Sequence, residues 1–321
     1  MTISQEQAAW FAETFAKIAD NIERAVLGKR HIIDLVLTAV LSEGHVLVED
    51  VPGTGKTSLA RAIAGSVAGK TTRIQFTPDL LPGDITGITV YLQSTGEFEF
   101  HPGPVFANVV LADEINRASP KTQSALLEVM EEGRVTVDGV SREVGSPFLV
   151  LATQNPIEQA GTYRLPEAQL DRFMMRTTLG YPDHGATVRI LNGVAAHTAD
   201  LEPVVTPEVL VAMAELARDV FVDALVVDYI SRLIEATRSA EQVRLGVSIR
   251  GALALTAAAR ARAAAHNRTY VTPDDVKALA VPVLSHRLIL LPEAEFDGVT
   301  DTAVVGQVLL DVPAPTKRES P

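Results

Sequence analysis

Between positions 50 and 57 the chain reads Asp50-Val51-Pro52-Gly53-Thr54-Gly55-Lys56-Thr57, and no other stretch constrains its fold as strongly. It follows the pattern Gly-x-x-x-x-Gly-Lys-[Ser/Thr] except at the first position, where Asp50 replaces glycine. The physics survives that change. Gly53 and Gly55 let backbone N–H groups curl around phosphate oxygens. A helix starting near Thr57 points its positive end at the same anion. Lys56 has the reach for the β- and γ-phosphates, and the Thr57 hydroxyl can ligate Mg²⁺. Candidate nucleotide contacts therefore run through Pro52, Gly53, Thr54, Gly55, Lys56, Thr57 and Ser58. The flanks supply the context: a short apolar strand, His45–Glu49, before the loop, and a helix from Thr57 to about Ala68, stopped by Gly69, after it.

The rest of the first half extends this unit. Ala8–Leu27 reads as a helix with Phe11, Phe15, Ile18 and Ile22 on one face, and His31–Ser42 as a second. Arg73–Thr77, Val109–Ala112 and Phe148–Thr153 read as strands, the last two apolar enough for a buried parallel sheet. A helix lies between those two, with Ser119 as its cap, Pro120 at its first position and Gly133 closing it. Strands alternating with helices predict an α/β domain with a parallel sheet. Two insertions read as hairpins: Ile88–Phe100, around Ser94-Thr95-Gly96, and Arg134–Val144, around Asp138-Gly139.

A boundary is expected at Tyr181-Pro182, which leaves 1–181 as the α/β core. Helices are predicted near 184–197, 207–219, 227–240, 249–266 and 273–280, a smaller all-helical domain over 182–290. Thr206-Pro207-Glu208 and Thr272-Pro273-Asp274-Asp275 are good helix starts. Residues 291–321 form a C-terminal segment, and its Pro-rich, charged end, Val312–Pro321, is expected to be disordered.

Four further places carry chemistry. The apolar run Val109–Ala112 ends in Asp113-Glu114, where Asp113 would hold Mg²⁺ and Glu114 would polarise an attacking water. A helix cap is the plainer role for such a pair, but a phosphate loop upstream favours the catalytic one. Asn155, in Thr153-Gln154-Asn155-Pro156, places an amide at the end of the next strand, beside an expected γ-phosphate; a turn-forming residue before proline is the alternative. Arg172, in Leu170-Asp171-Arg172-Phe173, reads equally as an ion pair with Asp171 or Glu167 or as a finger for another subunit's nucleotide. Arg250, in Ser248-Ile249-Arg250-Gly251, opens a helix of the second domain; it could touch phosphate, and by itself a solvated arginine is the better reading.

Composition removes several function classes. The formal net charge of −12 argues against nucleic-acid binding through bulk charge. There is no cysteine, which excludes disulfides and thiolate metal sites and fits a reducing cytoplasm. The seven histidines are scattered without ligand-like spacing, so no metal beyond Mg²⁺ is expected. No signal peptide or membrane-spanning run is visible.

At this point the sequence resembles the MoxR family of AAA+ ATPases, over about residues 15–295. The resemblance is carried by Val26-Leu27-Gly28-Lys29, by Glu49–Thr57, by Arg73–Gly87 with its Phe76-Thr77-Pro78-Asp79-Leu80-Leu81-Pro82-Gly83-Asp84 run, by Asp113–Ala118 and by Leu165–Phe173. Tyr270–Val276 and Leu284-Ser285-His286-Arg287-Leu288 are also similar. It implies an AAA+ core with a helical lid, ATP and Mg²⁺ as cofactors, and ATP hydrolysis that remodels or matures a client protein. It implies that Gly28 lies near the adenine, that about 85–103 is an insert in the second helix, and that about 134–147 is the hairpin before sensor 1. Asn155 would be sensor 1, Arg172 the arginine finger, with Arg117, also near the subunit edge, and Arg164, where relatives often carry proline, as the other candidates, and Arg250 sensor 2. It further implies a homo-oligomeric ring, a hexamer, in the cytoplasm, and a partner bearing a von Willebrand factor A domain. Asp84, Glu97 and Glu99 are candidate ligands for that domain's metal. Neighbouring AAA+ clades that act on DNA or drive metal chelation, and a nucleotide-binding module that does not hydrolyse, are the alternatives.

Overall fold

The structure, a computed structural model, describes residues 2–51, 53–155, 163, 165–194 and 201–315. In chain order its first part holds α1 (Gln5–Glu23), α2 (Arg30–Leu41), β1 (Val46–Glu49), α3 (Lys56–Ser66), β2 (Thr71–Gln75), α4 (Pro82–Thr86), β3 (Gly87–Leu92), β4 (Glu97–Pro102), β5 (Val109–Asp113), α5 (Pro120–Glu132), β6 (Arg134–Val137), β7 (Val140–Glu143), β8 (Leu149–Gln154), α6 (Glu167–Leu170) and β9 (Met175–Thr177). The second part holds α7 (His184–Leu191), α8 (Pro207–Arg218), α9 (Ala224–Ser239), β10 (Val243–Leu245), α10 (Ile249–Ala265), α11 (Pro273–Leu284), β11 (Ile289–Leu290), α12 (Pro292–Phe296) and α13 (Asp301–Asp311). The chain divides into two compact units, Lys17–Phe173 with Thr177–Val211, and Met1–Ala16 with Met174–Arg176 and Ala212–Pro321.

Among the described residues the main sheet has five strands in the order β2-β5-β8-β1-β9. β2 pairs with β5, β5 with β8 and β8 with β1, all parallel, and the apolar runs of β5 and β8 lie inside the sheet as expected. β5 is buried along its whole length. One face of the sheet joins a cluster that includes Leu47, Phe76, Val110, Leu126, Val150 and Phe173, all fully buried. Phe11, Phe15, Ile18 and Ile22 are buried, as the helical spacing of α1 predicts. Ser119 accepts from the Thr122 N–H at the start of α5, and Gly133 ends that helix in the left-handed region.

His45, just before β1, binds two elements to that strand. Its Nδ1 accepts from Val150 N–H at 3.0 Å, and its Nε2 lies 3.0 Å from the Met130 carbonyl at the end of α5. Both bonds together require the neutral ring with its proton on Nε2. Burial pushes its pKa down to about 4, against a smaller upward pull from the Met130 carbonyl.

The hairpins form where expected: β3 with β4, and β6 with β7 across Asp138-Gly139. The Arg142 guanidinium stacks over the Phe100 ring at 3.9 Å, joining the two.

The other unit is mainly helical; β10 pairs with β11, and Phe221 forms an isolated bridge with Tyr270. Asp275 is its buried anchor. It accepts from Arg268 at 2.5 and 2.6 Å and from the Thr272 N–H at 2.9 Å, so one carboxylate caps α11 and ties down the preceding turn. α11 runs to Leu284, past the expected end at 280, with Pro282 inside it. The C-terminal segment is more ordered than its composition suggests. Thr300 caps α13 by accepting from Ala303 N–H, and Val304, Val305 and Val308 are buried. Of the end expected to be disordered, 316–321 lie outside the described residues, as does the expected last part of the 184–197 helix, 195–197.

Candidate functional site

The loop of residues 50–55 hangs from the end of β1 and leads directly into α3. Gly53 and Gly55 take φ of +85° and +97°, a conformation that side chains resist. A Cβ on Gly53 would meet no atom within 4 Å, so the loop borders open space there. Gly55 is the cap of α3, which puts the unpaired N–H groups of the helix's first turn beside the loop. The Lys56 ammonium folds over the loop, donating to the Asp50 carbonyl at 3.0 Å and the Val51 carbonyl at 3.2 Å. Thr54 is buried, and Thr57 and Ser58 lie half-buried on the first turn of α3. Pro52 lies outside the described residues.

Asp50 explains why an acid can replace the glycine of the pattern. One carboxylate oxygen accepts from the Val51 N–H at 2.8 Å, the other from the Gly180 N–H at 2.6 Å. The phosphate loop is thereby braced against the chain that follows β9. Lys29 makes a parallel link, donating to the Tyr181 carbonyl at 2.6 Å, and Gly28 beside it packs so closely on Ala186 that a Cβ there would fall 3.0 Å away.

At the end of β5 one hydroxyl organises two acids. Thr153 Oγ1 donates to Asp113 at 2.6 Å and accepts from the Glu114 N–H at 2.9 Å. The second Asp113 oxygen accepts from Arg73 at 2.6 Å. Glu114 has φ +57°, a strained value of the sort stored at functional sites. Its carboxylate accepts from Gln75 at 2.8 Å and from Arg117 at 2.9 Å. Asn155 is buried at the end of β8, the strand between β5 and β1.

Arg172 forms an ion pair with Glu131 of α5 at 3.0 Å, a partner that local spacing did not offer. Arg250 is exposed on the first turn of α10, in the helical unit. Arg164 lies outside the described residues. Sequence reasoning missed Thr153, Arg73 and Gln75, because their roles depend on the register that sets Gln75 beside Asp113. No cluster of three or more His, Asp or Glu side chains able to hold a metal occurs among the described residues, and no helix there is long and apolar enough to cross a membrane.

A phosphate-binding loop between β1 and α3, acids at the end of β5 and a helical unit after the sheet together define a P-loop ATPase of the AAA+ class. The family of ATPases associated with various cellular activities matches residues 45–175, and the AAA lid domain matches residues 235–308. The chain is 49% identical to YeaC of Bacillus subtilis, described as uncharacterized, over 95% of this chain and 96% of that one. It is 42% identical to Chaperone MoxR1 of Mycobacterium tuberculosis over 94% of this chain and 82% of that one. A crystal structure of a presumed ATPase from Cytophaga hutchinsonii superposes with a TM-score of 0.89 at 38% identity, covering 97% and 98% of the two chains. The chain belongs to the MoxR family of AAA+ ATPases. It binds nucleotide and hydrolyses ATP.

Proposed function

We propose that this ATPase acts as a homo-oligomeric ring, a hexamer, in the cytoplasm, and spends hydrolysis on remodelling or maturing a client protein. The similarity to Chaperone MoxR1 supports the remodelling role. In the reaction, Lys56 and the loop N–H groups hold the β- and γ-phosphates. Glu114 accepts a proton from water as the water oxygen bonds to the γ-phosphorus; the bond from that phosphorus to the bridging oxygen breaks and ADP leaves. Asn155 orients the γ-phosphate, and Arg172, supplied to a neighbouring subunit's site, offsets charge as it develops. Arg250 reports the phosphate state to the lid, and Gly28 lines the adenine side.

The residues present suit Mg²⁺. The Thr57 hydroxyl and the Asp113 carboxylate are hard oxygen donors, and Thr153 fixes the Asp113 side chain. Mg²⁺ held by Thr57 and Asp113 would neutralise phosphate charge. The observation that carries the mechanism is the shared Thr153 hydroxyl, which sets Asp113 and Glu114 side by side at a sheet end. Phosphate release measured with and without a chelator tests it; turnover indifferent to chelation overturns the metal assignment.

We also infer a partner with a von Willebrand factor A domain, whose exposed divalent metal an acidic side chain of the β3–β4 hairpin completes. Asp84 already accepts from the Leu81 N–H at the start of α4, so the exposed Glu97 and Glu99 are the better candidates. Capture of such a protein by a Glu114→Gln ring, compared with and without chelator, is the test. Equal capture under both conditions excludes metal bridging.

A further inference from the structure

The residues that follow β9 lie against the phosphate loop and then against the turn between α1 and α2, all within the compact unit Lys17–Phe173 with Thr177–Val211. Leu179 is buried and faces the loop: a Cβ placed on Gly55 would fall 3.9 Å from its Cδ2. The Gly180 N–H donates to Asp50 at 2.6 Å. One residue on, the Tyr181 carbonyl accepts from Lys29 at 2.6 Å. Asp183 then caps α7 by accepting from the Ala186 N–H at 2.7 Å, and Ala186 lies 3.0 Å from where a Cβ on the exposed Gly28 would stand. A strap over 179–186 thus meets Gly55 and Asp50 at one end and Lys29 and Gly28 at the other.

Asp50 is what ties this strap to the loop. Its side chain is buried, at 8% exposure for the residue, and both carboxylate oxygens accept backbone N–H groups, from Val51 and from Gly180. Its own carbonyl accepts from Lys56. The glycine of the common pattern has no side chain to make such a tie. A carboxylate beside a loop that receives phosphates works against their binding, so on charge alone glycine would serve better. What the acid adds is a strong bond to an N–H 130 residues further along the chain.

We propose that Asp50 is a positioning residue for nucleotide selectivity: through the Gly180 N–H it holds the strap, and with it the Gly28 side of the site, in the arrangement that receives the base. The inference rests on the reading of Gly28 as lining the adenine side. Asp50 touches no part of the nucleotide. It raises the fraction of molecules whose base side is in place, and apparent affinity scales with that fraction.

The test measures binding to the full chain of two ligands, a non-hydrolysable ATP analogue and inorganic tripolyphosphate, which carries phosphates and no base. Asp50→Gly restores the glycine of the pattern and removes the tie. Asp50→Asn keeps the size but sets an NH₂ group against one of the two N–H donors. In both variants the Kd of the analogue should rise roughly tenfold while that of tripolyphosphate rises less than about twofold, so the preference for the nucleotide shrinks. Lys29→Met cuts the neighbouring tie at Tyr181 and should shift the preference in the same direction. Added to Asp50→Gly, it should cost less than about a further threefold, because both ties hold one strap. A preference equal to the parent's overturns the proposal: if both ligands weaken together Asp50 is a structural residue of the loop, and if both tighten together or neither changes it acts as a charge or not at all. A parent that binds tripolyphosphate as tightly as the analogue has no base-side site, and the reading of Gly28 falls together with the proposal. Circular dichroism establishes folding, and Asp50→Asn carries the comparison if Asp50→Gly does not fold.

Discussion

Gln75 and Arg117 donate to the same oxygen of Glu114, at 2.8 and 2.9 Å, one from the neighbouring strand β2 and one from the turn after β5. Glutamine at position 114 could accept both bonds through its amide oxygen, but it cannot take a proton from water. Glu114→Gln should therefore fold and bind ATP like the parent and lose roughly 10²–10⁴-fold in turnover. A phosphate-release assay beside a nucleotide-binding measurement decides; parental turnover would place the base elsewhere.

Lys56 folds its ammonium onto two loop carbonyls, and in the proposed mechanism the phosphates would compete for the same cation. Lys56→Ala should abolish nucleotide binding. Saturating ATP at about 100 times Kd stabilises a protein by roughly 2.7 kcal/mol. The parent should show a raised Tm with ATP and the variant none. An equal Tm rise in both proteins rejects the loop assignment.

Arg172 pairs with Glu131 but keeps 29% of its side-chain surface exposed, so the pair contributes little to stability. Arg172→Ala should melt near the parent, bind ATP nearly as well and hydrolyse it far more slowly. The loss should be smaller than the roughly 10³–10⁵ known for GTPase fingers. Mixing it with Lys56→Ala should recover part of the activity if the arginine serves a neighbouring subunit, because some interfaces then hold both intact groups. Confirmed mixed rings without recovery favour a structural role.

His45 gives the fold an acid sensitivity of known sign. Its folded pKa of about 4 lies below the ordinary 6.5 because burial disfavours the charged ring. The unfolded chain takes up that proton first, so the stability His45 contributes is complete above pH 6.5 and is lost as pH falls toward 4. By pH 5 the loss is roughly 2 kcal/mol. His45→Gln retains an acceptor for Val150 and a donor for Met130 without titrating. Urea midpoints at pH 7.5 and 5 should fall more in the parent than in the variant; parallel declines would show that other groups set the acid limit.

Much of this was legible in the sequence. Local grammar marked the caps at Ser119 and Thr272, the turn at Asp138-Gly139 and the glycines of the phosphate loop, since each acts within a few residues. What escaped is non-local. β9 is a three-residue strand with no periodicity to read, and its place beside β1 follows from the sheet alone. The Glu131 partner of Arg172, the Gly180 partner of Asp50 and the hydroxyl shared by Asp113 and Glu114 all join residues far apart in the chain. α13 was hidden differently: its buried valines lie next to a Pro-rich end whose composition masked them.

The strand order has a consequence for synthesis. Val46 pairs with Leu151, and the other neighbour of β1 is β9, so both flanks of the strand bearing the phosphate loop are translated long after it. While the ribosome works through the two hairpins, which can close on their own within microseconds, β1 has no partner to dock on. A nascent chain released before β8 would carry every residue of the phosphate loop and could pair β2 with β5, but it would have no neighbouring strand to hold β1. Nucleotide cannot rescue such a chain, because the fold that grips the phosphates is finished only when the last strands arrive.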